Sequence, residues 1–170
     1  RNDKIKNFIV KNKNKIITSI IIILIIIISF YTFDKYKINK KKKISDDFNL
    51  ATIEYSEKSK DKTANKLIEI INKKDSTYSP LSLYFIIDNE IITEQDQINI
   101  YFDILIEKTS LDEEIKNLVI YKKALFNADK ADEIILLDIL NPLIKSESVW
   151  KSHALYLMAE FFYSGRPEFH

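Results

Sequence analysis

Apolar residues are laid out along this chain in two ways. From Ile16 to Phe33 they form a continuous run of 18 residues without a charge, broken only by hydroxyls. Beyond residue 44 they recur three and four positions apart among charged and amide side chains, the spacing that gathers them on one helical face. Hairpin signals of the Asn-Gly kind are absent, so the whole chain is expected to be all-α.

The periodic part resolves into seven helices. The first starts at the Ser45-Asp46-Asp47 cap and carries Phe48, Leu50, Ala51 and Tyr55, or else continues directly from the preceding run through the lysines. A second covers about Asp61 to Lys73, with Ala64, Leu67, Ile68 and Ile71 aligned. Thr77 to Pro80 opens the third, which ends near Asp88-Asn89. Thr93 with Asp96, and Ser110 with Glu113, have the form of capping boxes for the fourth and fifth. Asp129 caps a sixth, which Pro142 stops or bends, and Ser146 or Ser148 opens a seventh that Gly165 closes.

Counted as pairs, these helices start near residues 46, 78, 111 and 147, at intervals of 32, 33 and 36 residues. A period of about 34 residues is that of tetratricopeptide (TPR) helix pairs, in which no pair buries its apolar face without the next. The expected fold is therefore all-α, a single N-terminal transmembrane helix followed by a TPR-like right-handed solenoid of antiparallel helix pairs. A compact helical bundle is the rival arrangement.

As a helix, the run from Ile16 to Phe33 would be about 27 Å long, close to the hydrocarbon thickness of a bilayer. A cleaved signal would be shorter and would end in small residues, whereas Ser29-Phe30-Tyr31-Thr32-Phe33 is bulky. Residues Ile16, Ile20, Leu24, Ile28 and Phe33 are accordingly assigned to a membrane anchor. The domain boundaries that follow are a basic segment 1–15, the anchor 16–33, a basic juxtamembrane linker 34–45, a helical domain 46–165 and a tail 166–170. Orientation is left open by charge, because six basic residues precede the run and six follow it by position 43. Tyr31, Phe33 and Tyr36 mark an interface compatible with either direction.

Composition narrows the chemistry. A formal net charge of +1 over 170 residues does not supply the basic surface of a nucleic-acid binder. The cluster Lys40 to Lys43 is better read as a stop or an anionic-lipid contact. With no cysteine there is neither a disulfide framework nor thiol catalysis, and with one glycine there is no phosphate-binding loop. His153 and His170 are the only histidines, too few for a histidine-based metal site, and Asp46-Asp47 and Glu113-Glu114 sit where helix starts favour carboxylates. No catalytic, metal or cofactor-binding residue is assigned, no cofactor or small-molecule substrate is implied, and an enzyme is not expected. The candidate partner-binding residues are aromatic: Tyr84, Tyr121 and Tyr156, in the first helices of successive pairs, and Trp150. Each is equally at home packing between repeats.

Two stretches carry a resemblance. "FDILIEKTSLDEEIKNLVIYKKALF" (Phe102 to Phe126) joins a short helix to an acidic-capped entrance and a long apolar helix, and "SVWKSHALYLMAEFFYSG" (Ser148 to Gly165) places Trp150, Lys151 and Ala154 in an entrance of Pro-Trp-Arg type. With the basic N-terminus, single span and helix pairs, they resemble the YfgM-type ancillary subunits of the bacterial Sec translocon, in their divergent alphaproteobacterial TPR-like branch. Val149 replaces the family's proline, and polar residues replace its glycine-rich turns. The family continues past the position of Gly165 with another packing helix, so the chain is expected to be truncated at its C-terminus and, lacking an initiator methionine, at its N-terminus.

The resemblance implies a cytoplasmic N-terminus, an inner-membrane anchor and a periplasmic helical domain. It also implies protein partners, namely Sec translocon subunits and membrane-anchored periplasmic folding factors with their chaperones, and a part in transferring secreted proteins. The alternative is an envelope scaffold or regulatory adaptor for cell-wall or division complexes, or a domain facing the cytoplasm.

Overall fold

The computed structural model describes residues 11–164. The segment before residue 11, the closing Gly165 and the tail 166–170 lie outside the described residues. Among the described residues seven α-helices and one short 3-10 turn follow one another, and there is no strand. The chain divides between Lys43 and Ile44 into two units.

The first helix, α1 (Lys13–Ile53), contains no glycine or proline, so nothing in its backbone chemistry interrupts it. Of the anchor residues, Ile16 lies within it by backbone, while Ile20, Leu24, Ile28 and Phe33 stand out from it, each more than half exposed. The apolar stretch is long enough to cross a bilayer and none of it is buried in protein. Its two threonine hydroxyls are satisfied along the helix, Thr18 donating to the Asn14 carbonyl at 2.9 Å and Thr32 to that of Ile28 at 2.9 Å. That back-bonding lets a polar side chain sit in lipid. The basic linker over 34–45 is itself helical, so of the two starts open for the next helix the continuous one is observed. Ser45 is not a cap, and its Oγ instead meets the Tyr78 hydroxyl at 2.7 Å.

In the second unit the end of α1 is followed by the 3-10 turn Glu57–Ser59, α2 (Lys60–Asn72), α3 (Tyr78–Asp88), α4 (Gln95–Lys108), α5 (Glu113–Asn127), α6 (Glu133–Ile144) and α7 (Lys151–Ser164). From α2 onward each helix packs on the next, and contacts also join α2 to α4 and α5 to α7. The apolar stripes form two clusters. Leu67, Ile70, Ile71, Leu83, Ile98 and Phe102 anchor the first, and Leu136, Leu140, Leu143, Ala154 and Met158 the second. They divide within α5, where Val119 belongs to the first and its neighbour Ile120 to the second. Full burial of each large side chain contributes about 1.5–3 kcal/mol.

The starts of α4, α5 and α6 fall later than the caps expected from sequence, and at α5 and α6 the closing turn of the preceding helix occupies that region. Helix α4 begins after Glu94, without a side-chain cap, so the Thr93 capping box is not formed. Before α5, the Thr109 hydroxyl donates to the Ile104 carbonyl and closes α4, and Asp112 rather than Ser110 caps, accepting from Glu114 N. Asp129 is bypassed likewise, since Lys130 N and Ala131 N both donate to the Asn127 carbonyl. Asp132 then caps α6 by accepting from Ile135 N at 2.9 Å. Pro142 lies in the last turn of α6, which ends at Ile144.

Where glycine is lacking, other residues take the left-handed turn. After α3, Glu90 has φ 49°, Ile91 N donates to the Ile86 carbonyl at 2.9 Å and Glu90 N to that of Ile87 at 3.1 Å. This is a Schellman closure built on glutamate, with Ile91 tucked into the core. Lys74, with φ 54°, plays the left-handed part after α2.

Candidate interaction surface

Helix α5 organises the surface because amide groups lock it to α4. Gln95 Nε2 and Asn99 Nδ2 both donate to Asn127 Oδ1, at 2.8 and 2.9 Å. Asn127 Nδ2 donates back to Asn99 Oδ1 at 2.8 Å and to the Lys123 carbonyl at 2.7 Å. Lys123 is ion-paired with Asp103 beside them. The amide of Asn127 is buried with its donors and acceptor used, so the register of the two helices is well specified.

That register sends consecutive side chains of α5 to different neighbours. Tyr121 stacks on Trp150 at 5.6 Å between ring centres, and His153 meets Tyr121 edge-on at 5.7 Å and Trp150 at 5.2 Å. Trp150 is placed by the entrance to α7. Its backbone N–H donates to Ser148 Oγ at 3.1 Å, and that hydroxyl donates to Glu114 Oε2 on α5 at 2.8 Å. Lys122, one residue on, faces the other way, its Nζ 4.6 Å from the centre of the Tyr84 ring on α3, a cation–π arrangement.

Tyr84 stands in a cleft between α3 and α5, both of which pack on α4. Towards the start of α3 the cleft holds about 300 Å³ beside Pro80, Leu81, Ile115 and Leu118. Towards its end it holds about 250 Å³ beside Ile87, Asp88, Lys122 and Leu125, with Phe102 of α4 also lining it. Tyr84 borders both parts. Its hydroxyl is buried without a hydrogen-bond partner, and burial pushes its pKa up to about 12.

The four aromatic candidates thus fall at three places. Tyr84 lines the cleft, Tyr121 and Trp150 stack together half-buried, and Tyr156 projects from α7 with 69% of its surface exposed. Sequence reasoning missed Lys122 and the rim residues Leu81, Ile115 and Leu125. Nothing separates Lys122 from Lys123 in sequence, yet one is neutralised by Asp103 and the other lies over an aromatic face. Among the described residues no cluster of three or more metal-ligating side chains occurs. No protein-family model, no curated protein and no solved structure matches the chain.

Proposed function

We propose that the chain is a single-pass inner-membrane interaction protein whose helical domain faces the periplasm. It associates with the Sec translocon and with membrane-anchored folding factors, helping to hand emerging chains to chaperones. The observation that carries this reading is the pairing of an unburied apolar helix of bilayer length with an all-helical unit that leaves apolar and aromatic side chains open in a cleft and on its last two helices. Surface of that kind serves binding.

A TPR-like solenoid is supported by sequential helix packing with added contacts between alternate helices. The starts of α3, α5 and α7, at residues 78, 113 and 151, are 35 and 38 residues apart, somewhat longer than the usual repeat. The stretches Phe102 to Phe126 and Ser148 to Gly165 supply the likeness to YfgM-type subunits, and with it the orientation and the partners.

The test is a photoreactive residue in place of the exposed Tyr156, in the full chain in bacterial membranes. Crosslinks to translocon or folding-factor subunits are expected. Crosslinks confined to cell-wall or division proteins would overturn the partner assignment in favour of an envelope scaffold.

A further inference from the structure

Lys122 lies in apolar company without a counter-ion. Among the described residues the ion pairs of this unit join Lys62 to Glu54, Lys73 to Asp47 and Glu69, Lys123 to Asp103, and Lys151 to Glu147. Lys122 has the Tyr84 ring instead, and Asp88, which lines the same part of the cleft, is not within ion-pairing distance of it. A cation held over a ring between Ile87, Leu125 and Phe126 is already partly stripped of water, so an arriving carboxylate gains more there than at an open surface.

Leu81 on α3 is 42% exposed, and Ile115 and Leu125 on α5 are 41% and 45% exposed. Large apolar side chains stand open on both walls. From Thr77 to Asp88 the α3 wall runs about 17 Å, the length of three helical turns. The polar groups at the two ends, Ser76 and Thr77 at one and Asp88 and Lys122 at the other, suit a peptide segment, which carries polar groups at both ends, better than an acyl chain, which is polar at one.

We propose that the cleft between α3 and α5 docks an apolar helical segment of a partner protein, about three turns long, whose Asp or Glu side chain pairs with Lys122 while its apolar side chains cover Leu81, Ile115 and Leu125. The inference rests on the interaction-protein reading and names its site and the partner's chemistry. Asp88 weakens the attraction, and so selects segments in which the acidic residue is placed against Lys122 and away from the end of α3.

The test uses the full chain in phosphatidylcholine nanodiscs and a fluorescent synthetic helix of about 14 residues, with leucines at i, i+3/i+4 and i+7 spacing and one glutamate, compared with its glutamine and lysine counterparts. The glutamate peptide is expected to bind best, to weaken about tenfold on Lys122→Met, and to tighten on Asp88→Asn. Lys122→Glu should reverse the preference in favour of the lysine peptide, a rescue that damage to the fold could not produce. Equal affinity for the three peptides, absence of binding, or displacement by laurate at equal concentration would overturn the proposal. Binding unmoved by both Lys122→Met and Leu125→Arg would also overturn it, while leaving the chain an interaction protein with its docking surface elsewhere.

Discussion

Isoleucine has opposite fates in the two units. From Ile20 to Ile28 every isoleucine is at least half exposed, whereas Ile70, Ile71, Ile86 and Ile98 are all but completely buried. The side chain is the same and so is the helical backbone, so what differs is the company each keeps in sequence. In α2 and α4 polar residues interrupt the isoleucines at helical spacing, which gives the helix one apolar face and obliges it to find a neighbour. In the run of α1 apolar residues go all round, and no single protein neighbour can cover such a surface. Lipid can, so continuity rather than hydrophobicity separates a span from a core helix.

The strongest challenge to this contrast is a charge in the run. Ile22→Asp should oppose insertion by about 2.5–3.5 kcal/mol. Membrane-fraction yield of the full chain should fall several-fold or more, and an unchanged yield would mean that the run is not in hydrocarbon. The matching challenge to the core is Phe102→Ala, which removes a fully buried ring and should destabilise the helical unit by about 3–5 kcal/mol in denaturant unfolding.

Smaller effects sharpen the account of what burial costs. Tyr84→Phe removes a buried hydroxyl that has no partner, and should stabilise the unit by about 1 kcal/mol at neutral pH. The sign of its pH dependence follows from a folded-state pKa of about 12, above the ordinary value of 10.0. Below pH 10 the phenol is neutral in both states, and as pH rises towards 12 the unfolded chain ionises first, so stability declines. Tyr84→Phe should therefore flatten the decline in stability over that interval, as followed by circular dichroism. Glu90→Gly relieves a left-handed glutamate and should add up to about 1 kcal/mol, since glycine accepts that backbone without a Cβ clash. No gain on thermal unfolding would mean that side-chain contacts of Glu90 offset its backbone cost.

How far such features can be read from sequence depends on their range. The apolar stripes of α2 to α7 are local, and Leu67, Leu83, Phe102, Leu140 and Ala154 lie on them as spacing predicts. Caps are less local. Ser110 and Asp129 have the right chemistry, but the closing turns of α4 and α5 run past them, through Thr109 and Asn127, and the start moves on to Asp112 and Asp132. The continuity of α1 through Lys40 to Lys43 could be read either way, because lysine is a good helix former and no breaker intervenes. Of the cleft only Tyr84 was legible. Tyr84 and Lys122 are 38 positions apart, and only the amide lock between α4 and α5 decides that Lys122 faces α3 while Tyr121 faces Trp150.

The most direct test of the central contrast is the environment of a nitroxide at Ile25, at the middle of the run, beside one at the exposed Leu137 of α6, in full chain reconstituted into bilayers. The label at residue 25 should be accessible to oxygen and shielded from a water-soluble nickel chelate, and the label at 137 the reverse. Chelate accessibility at both positions would contradict the account, because the run would then be an apolar helix in water with nothing to cover it.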